Sequence, residues 1–420
     1  MASLDPQPET LAAPTRERLG GLDLLRGVAI LGILPMNVLA FALPMEAYQN
    51  PLALGAISSG EWWAWRVTHL LFDQRFMTIF AAMFGAGILL LDARPVRPGV
   101  SVAGRFMRRM GWLLVIGLLH AHLLWYGDIL VAYALCGMLA FPLRRLPTVW
   151  LATIGFVLLL VPPAIWTGLH AVATVAPPEV LADMREAWAP SEDSIRATLD
   201  AYRGGWLDQM PERTMASAFM QTGVFLMWSV WRATGLMLIG MVLLRVGFLA
   251  GRWSSQGYAV AAVSGFALGL ALTGWGLRRN ESIAYEMIDA MTLGALPNYF
   301  GSLFGAFGWA AAVLPIGRGA ASLPIVARLE AVGRTSLSNY LLQTVLCTSI
   351  FYGHGLGWFG HLDRVHLWLV VLAVWIVQVL ATSIWLRWFR IGPAEWVWRS
   401  LAAWRVLPLR VSSGSRTAPG

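Results

Sequence analysis

Residues 148–170 read TVWLATIGFVLLLVPPAIWTGLH and contain no Asp, Glu, Lys or Arg. A helix of roughly 20 apolar residues is long enough to cross the hydrocarbon core of a bilayer. The same pattern recurs on both sides of this stretch. It predicts about ten spans, at 22–43, 62–91, 110–126, 129–143, 148–170, 217–244, 257–277, 293–316, 335–354 and 366–388. The expected fold is therefore an all-α polytopic membrane protein, a bundle of about ten transmembrane helices.

The composition excludes an ordinary soluble protein. Of the 420 residues, 57% are hydrophobic and 13% are charged, and the mean hydropathy is +0.62. A soluble chain cannot bury that much apolar surface, so lipid must be the solvent for much of it. The net charge of +8 comes from arginines between the spans, which predicts contact with lipid headgroups and no nucleic acid partner. Cys136 and Cys347 lie in apolar spans, and no Cys/His spacing predicts a metal site.

Arginine collects in one set of loops, as it does in the cytoplasmic loops of membrane proteins. Its members are Arg16, Arg18, Arg94, Arg97, Arg105, Arg108, Arg109, Arg144, Arg145, Arg245, Arg252, Arg318, Arg328, Arg334 and the Arg-rich tail from Arg387 onward. Both termini are therefore predicted to be cytoplasmic, in a bacterial inner membrane. The long polar insert at 171–215 is acidic and is then extracytoplasmic.

This pattern predicts five parts in the chain. They are a cytoplasmic tail at 1–21, an N-terminal bundle of five spans at 22–170, an extracytoplasmic loop at 171–215, a C-terminal bundle of five spans at 216–388, and a cytoplasmic interfacial helix and tail at 389–420.

Ionisable and amide side chains inside the spans are the best guide to function, because they are unfavourable in lipid and usually face a partner or a cavity. On the first span, Asp23 and Arg26 lie three residues apart and can pair on one helix face. Asn37 follows Arg26 by eleven residues, roughly 16 Å along the same face. The stripe predicts a lined cavity, with an interfacial anchor as the alternative for the Asp23–Arg26 pair.

The second span carries His69, Asp73 and Arg75 ahead of its apolar run. His69 and Asp73 are four residues apart, a spacing at which a carboxylate can orient an imidazole. The guanidinium of Arg75 suits an anionic ligand. The alternative is that this stretch lies at the outer interface and is simply hydrated.

The third and fourth spans form a predicted helical hairpin with a tight turn at Gly127 and Asp128. His120 lies inside the third span, toward the outer half of the bilayer, and precedes Asp128 by eight residues. A carboxylate near an imidazole raises its basicity and fixes its tautomer, as a general base requires. His120 and Asp128 are the candidate catalytic pair; a hydrogen-bonded packing histidine is the alternative. His122 points to another face and is the weaker candidate.

A polar stripe also opens the ninth span. Ser336, Asn339 and Gln343 occupy positions i, i+3 and i+7 of a helix and so lie on one face. We predict that Asn339 and Gln343 contact a substrate. Amides in membranes also hold helices together, and this is the alternative.

Five blocks of this sequence resemble the YeiB-type family of bacterial membrane proteins, whose C-terminal half is a domain of unknown function. They are LDLLRGVAILGILPMN (22–37), FAAMFGAG (80–87), GLLHAHLLWYGDILVAYALCG (117–137), VGRTSLSNYLLQT (332–344) and GPAEWVWR (392–399). The resemblance runs from about Leu22 to Arg399, nearly the whole chain.

The first block also resembles transmembrane acyltransferases, in which cytosolic acyl-CoA modifies a hydroxyl or amine across the membrane. The O-acyltransferase branch places its catalytic histidine eleven residues after an arginine of the first span. Here Asn37 stands at that position, and Asn cannot act as a base. The heparan glucosaminide N-acetyltransferase branch also has Asn there, but takes its histidine from just before the second span. The corresponding stretch 58–66 has no histidine, so His120 or His69 must substitute.

The first hypothesis is therefore a transmembrane acyltransferase that moves an acyl group from acyl-CoA to an extracytoplasmic or lipid-linked acceptor. Arg26 and Arg75 would hold the donor, Asn37 would line the path and His120 would be the base. The second hypothesis is a transporter of a small polar or amphipathic solute, since intramembrane Asp, His and Arg also suit a proton relay. A lipid-binding or scaffold protein is the third. Expected partners are membrane lipids and a small-molecule or lipid-linked substrate, and Gly-rich faces permit a homodimer.

Overall fold

A computed structural model describes residues 16–92, 101–319 and 323–410. These ranges form α-helices, two short 3₁₀ helices, one π-helical segment and an isolated β-bridge between Phe389 and Arg410. Most of the predicted N-terminal tail, the end of the C-terminal tail, and the predicted cytoplasmic residues Arg94 and Arg97 lie outside the described residues. The all-α fold predicted from the sequence is confirmed.

Most of the α-helices are apolar, and Glu192–Arg203 is a polar exception. Their bounds are α1 Arg16–Ala42, α2 Ser59–Leu71, α3 Arg75–Asp92, α4 Val102–Leu123, α5 Leu130–Leu143, α6 Thr148–Ala173, α7 Ala182–Trp188, α8 Glu192–Arg203, α9 Met210–Phe219, α10 Val230–Arg245, α11 Ser255–Ser282, α12 Met287–Met291, α13 Leu296–Val313, α14 Ile316–Gly319, α15 Pro324–Arg334, α16 Ser336–Phe351, α17 Arg364–Trp388 and α18 Pro393–Ala403. The 3₁₀ helices are Met45–Tyr48 and Leu293–Ala295, and the π-helical segment, Met220–Ser229, joins α9 to α10.

Each of the ten predicted spans coincides with helix. Among the described residues, six helical stretches are long and apolar enough to cross a membrane: Gly20–Ala42, Ser59–Asp92, Thr148–Ala173, Met210–Arg245, Ser255–Ser282 and Arg364–Trp388. A shorter apolar helix is Leu130–Leu143. The protein is thus an all-α membrane protein, while the count of ten spans and their orientation stay predictions.

The second predicted span is not one continuous helix. It breaks after Leu71, and α3 begins at Arg75. Gln74 in the break has φ +57°, in the left-handed region that interrupts a right-handed helix. The break leaves backbone carbonyls without helical partners, which apolar surroundings do not tolerate.

The insert predicted to be an extracytoplasmic loop is mostly helical. It contains α7 and α8 and the first residues of α9. The indole N–H of Trp188 donates to the carbonyl of Tyr285 at 2.8 Å, and Tyr202 stacks on Phe359 with ring centroids 4.6 Å apart. The insert therefore packs on one end of the bundle.

Helices α3 and α10 cross closely because glycines face each other's backbone. A Cβ atom at Gly85 would collide with the carbonyl oxygen of Met237, and one at Gly240 would collide with that of Ala82. Small residues that let backbones approach are typical of membrane helix contacts. Gly87, two residues beyond Gly85, has open space where its Cβ would be.

We therefore predict that Gly85→Ala destabilises the protein by about 1–3 kcal/mol, because α3 and α10 must separate. Gly87→Ala on the same helix is the matched control and should be neutral or slightly stabilising, since Ala favours helix by about 1 kcal/mol over Gly. The measurement is thermal unfolding of both variants in one detergent. Equal melting temperatures for the two variants would contradict the close crossing.

Candidate functional site

A buried contact between a histidine and a carboxylate joins α4 to the turn before α5. His120 Nδ1 lies 2.7 Å from Asp128 Oδ2, and both side chains are 1% exposed. The other carboxylate oxygen, Oδ1, accepts the backbone N–H of Val131 at 2.8 Å and so caps the first turn of α5. The predicted pair of His120 and Asp128 is therefore in direct contact.

The reason for this contact differs from the helical spacing considered in the sequence. In a continuous helix, eight residues would separate the two side chains by roughly 12 Å. Helix α4 instead ends at Leu123, and the turn brings Asp128 back beside the last turn of α4. Tyr340 of α16 holds this turn, because its hydroxyl accepts from the N–H of Ile129 at 3.2 Å and lies 3.3 Å from the carbonyl of Gly127.

The second ring nitrogen of His120 faces α16. Nε2 lies 2.9 Å from Thr344 Oγ1, and Thr344 is buried. With Asp128 ionised and His120 neutral, the carboxylate only accepts hydrogen bonds, so Nδ1 donates to Asp128 and Nε2 accepts from the Thr344 hydroxyl. The result is a hydrogen-bonded series of carboxylate, imidazole and hydroxyl groups that links the turn before α5 to α4 and α16.

Thr344 was not singled out from the sequence. The signal was present, since Thr344 follows Gln343 directly and lies four residues after Tyr340, on one face of α16. Next to this site, Trp125 lies edge-on to His120 with ring centroids 6.4 Å apart, and its buried indole N–H has no hydrogen-bond partner among the residues that the structure describes.

Asn339 and Gln343 form an amide network with α17. Gln343 Nε2 donates to Gln378 Oε1 at 3.0 Å and to the carbonyl of Ile30 at 2.9 Å. Gln378 Nε2 donates to the carbonyl of Asn339, and Asn339 Nδ2 donates to Thr382 Oγ1, both at 3.0 Å. Asn339 and Gln343, predicted to contact a substrate, therefore link α16 to α1 and α17. This arrangement corresponds to the alternative, in which membrane amides hold helices together.

The N-terminus of α16 is held by α18. Glu395, which is 4% exposed, accepts the backbone N–H groups of Leu337 at 2.7 Å and Ser338 at 3.1 Å. Its other oxygen accepts the Ser338 hydroxyl. A carboxylate at a helix N-terminus satisfies unpaired N–H groups and complements the helix dipole. The predicted interfacial helix thus positions the helix that carries Thr344.

At one end of α1, Arg26 Nη1 donates to Asp23 Oδ1 at 2.7 Å, as the sequence predicted. The side chains are 28% and 20% exposed. Arg334 and Arg399 also act electrostatically on Asp23, so positive charge is in excess there. Burial raises the pKa of Glu330; Arg334 opposes this shift, and the negative charge of Asp23 adds to it.

Asn37 is half-buried near the other end of α1. The helical rise puts it roughly 16 Å beyond Arg26, so these two residues do not form one compact site.

His69 and Asp73 have separate partners. His69 Nδ1 lies 2.9 Å from the carbonyl of Trp65, and its ring is tilted by 32° against the Trp65 ring with centroids 3.7 Å apart. Asp73 Oδ2 accepts from the side-chain amide of Asn298. Helix α2 ends at Leu71, so the helical spacing assumed for His69 and Asp73 does not extend to Asp73.

Arg75 donates hydrogen bonds to backbone carbonyls at the break between α2 and α3. Its Nη1 donates to the carbonyls of His69 and Asp73, both at 3.0 Å, and Nη2 donates to Thr273 Oγ1 at 3.0 Å. Arg75 is 2% exposed. The guanidinium proposed for an anionic ligand is therefore engaged with the protein itself.

A second buried guanidinium, Arg232 of α10, was missed although it stands inside a predicted span. It donates to Ser302 Oγ at 2.8 Å and to Thr78 Oγ1 at 3.0 Å, and it lies over the Tyr299 ring at 4.3 Å from the centroid. These partners are neutral. Among the described residues, no group of three or more His, Cys, Asp or Glu side chains is arranged to hold a metal ion.

We predict that Arg75→Met lowers stability by several kcal/mol, at about 1–3 kcal/mol for each buried acceptor left without a donor. Arg66→Met is the control, because Arg66 makes an ion pair with Glu281 that is 36% and 20% exposed and contributes about 1 kcal/mol or less. Thermal unfolding measures both. A fully stable Arg75→Met variant would show that Arg75 does not support the break.

Comparison with known proteins places the chain in a family. The family described as "Protein of unknown function (DUF418)" matches residues 243–405. The chain is 34% identical to "Uncharacterized protein YeiB" of Escherichia coli (strain K12) over 391 residues, covering 92% of this chain and 96% of that protein. It is 27% identical to "Uncharacterized protein YxaH" of Bacillus subtilis (strain 168), covering 95% and 96%. The chain therefore belongs to the YeiB family of membrane proteins.

Proposed function

We propose that this protein is a transmembrane acyltransferase that moves an acyl group from acyl-CoA to a hydroxyl or amine of an extracytoplasmic or lipid-linked acceptor. The observation that carries the proposal is the buried contact of 2.7 Å between His120 Nδ1 and Asp128 Oδ2. A carboxylate that holds an imidazole in one tautomer, with the other nitrogen on a hydroxyl, is the arrangement of a general base in acyl transfer.

Asp128 is suited to its role because its two oxygens have different tasks. Oδ1 is bound by the backbone of α5, and Oδ2 orients the ring of His120. The ring cannot turn without losing a hydrogen bond on each side. Apolar surroundings strengthen these contacts, since electrostatic interactions are less screened there than in water.

The donor end of the site lies at Asp23 and Arg26. Arg26, Arg334 and Arg399 together offer planar guanidinium groups, which bind phosphates well. Along α1, Ile30 is roughly 10 Å from Asp23, and Gln343, the neighbour of Thr344, contacts Ile30. A donor whose phosphates lie at the arginines could therefore extend its thioester arm toward the level of His120.

A transporter is the second candidate, and Arg232 favours it. Its guanidinium is 3% exposed and contacts neutral hydroxyl, carbonyl and ring groups, while Asp73 acts on it electrostatically without direct contact. A buried cation with neutral partners suits a carrier that binds an anionic solute inside the bundle. Solute flux in proteoliposomes without covalent change, lost in Arg232→Met, would support this candidate over transfer.

For the acyl donor, we predict that acetyl-CoA binds saturably to the purified protein in detergent. Arg26→Ala should weaken this binding on the order of tenfold, the effect of losing one charged hydrogen bond. Arg145→Ala, an exposed arginine of another loop on the predicted cytoplasmic side, is the matched control and should bind normally. Calorimetry measures both. Absence of binding to the folded protein would count against the acyltransferase.

The catalytic prediction concerns His120 and Asp128. Asp128→Asn keeps the size of the side chain, but its single oxygen is needed by the N–H of Val131, so its N–H₂ group faces Nδ1 and the ring adopts the wrong tautomer. We expect transfer to fall on the order of 10³–10⁴-fold, as in serine proteases with the equivalent change. The measurement is CoA thiol release and movement of labelled acetyl from acetyl-CoA to lipid, sugar or amine acceptors.

Two controls sharpen this experiment. His120→Ala should abolish transfer, whereas His122→Ala should leave it intact, because His122 is half-buried on another face of α4. Full transfer by a folded His120→Ala variant would show that this histidine is not the base.

A further inference from the structure

We infer that Thr344 is the nucleophile of this protein and carries the acyl group as a covalent ester between donor and acceptor. This inference rests on the proposed function, because it specifies how the acyltransferase moves its acyl group. The inference is based on the hydroxyl that follows Asp128 and His120 in the hydrogen-bonded series: Thr344 Oγ1 lies 2.9 Å from His120 Nε2.

The direction of the Thr344 hydroxyl is unusual for a threonine within a helix. Such hydroxyls commonly donate to the carbonyl four residues earlier. Thr78, Thr167 and Thr222 of this protein do so at 2.8, 2.9 and 2.7 Å. The corresponding contact from Thr344 to the carbonyl of Tyr340 is 3.5 Å, longer than its 2.9 Å contact with the imidazole. The hydroxyl proton therefore points to the base.

Helix α16 holds this hydroxyl in place from both directions. Glu395 caps its N-terminus, and the amides of Asn339 and Gln343 tie it to α17 and α1. A nucleophile within hydrogen-bond reach of a base that is itself oriented by a third group is the general arrangement for covalent catalysis. Burial of Thr344 also keeps water away from an ester formed there.

The reaction balances with the thioester donor alone. Thr344 Oγ attacks the acyl carbonyl, the Oγ–C bond forms and the C–S bond breaks. The hydroxyl proton moves to His120 Nε2 and then to the departing thiolate, which leaves as free CoA thiol. In the second half, an acceptor hydroxyl or amine gives its proton to Nε2 and takes the acyl group, and the proton returns to Thr344 Oγ.

A purely structural role for Thr344 makes a different prediction. In that case its hydroxyl only links α16 to α4, and no acyl group is ever found on it. Thr348, one turn further along α16, is a suitable comparison. It is also buried, and its hydroxyl lies 3.3 Å from the carbonyl of Val345, within its own helix.

The test uses the full-length protein in detergent with two probes, acetyl-CoA and p-nitrophenyl acetate, at mildly alkaline pH. We expect a burst of p-nitrophenolate, and peptide mass spectrometry should find an acetyl group on Thr344 with either probe. Thr344→Val and His120→Ala should lose burst and adduct. Thr344→Ser should retain both, and Thr348→Val should behave as wild type. Melting temperatures of all variants establish that each is folded.

The outcomes separate this inference from the proposed function. If Thr344→Val still transfers acetyl while His120→Ala does not, His120 acts directly on the acceptor and the nucleophile assignment is wrong. If p-nitrophenyl acetate acylates Thr344 but acetyl-CoA is neither bound nor consumed, the nucleophile stands and the donor is wrong. If the folded wild-type protein shows no adduct with either probe, or an adduct on another residue, the inference is overturned.

Discussion

Most polar groups inside the bundle find their partners within the protein, because lipid offers none. An unpaired backbone or side-chain group in such surroundings costs several kcal/mol. This constraint decides where the helices break and how they are joined. At the break between α2 and α3, the guanidinium of Arg75 takes the free carbonyls. At the start of α16, the carboxylate of Glu395 takes the free N–H groups.

The same constraint turns α16 into the organising helix of the candidate site. Its amides face Gln378 of α17 and the backbone of α1, and its hydroxyl faces His120 of α4. Four helices thus meet through short hydrogen bonds rather than through apolar contacts alone. Apolar packing can slide, whereas a hydrogen-bond network specifies one arrangement. A reacting group held this way needs little reorganisation at the moment of reaction.

The proposed chemistry relies on two separated groups of polar side chains in the bundle. The arginines around Asp23 concentrate positive charge at one end of α1. His120, Asp128 and Thr344 lie deeper, near the level at which Gln343 contacts Ile30. The donor that we propose has a charged head and a long thioester arm, which would suit this spacing. The buried Arg232, by contrast, belongs to a separate interface of α3, α10 and α13.

The sequence alone determined the membrane character and helical fold, because apolar stretches of sufficient length have no other stable arrangement in lipid. It also singled out His120 with Asp128 and the pairing of Asp23 with Arg26, since charged residues in apolar stretches are conspicuous. Only the tertiary structure decided which polar groups meet across helices. Thr344 has no distinguishing feature in the sequence. Its importance comes from its contact with His120 of α4, which lies more than 200 residues away in the chain. Arg75 resembles a ligand anchor in sequence, yet it supports a helix break that periodicity cannot reveal, because the break depends on a left-handed Gln74 and a partner on α11.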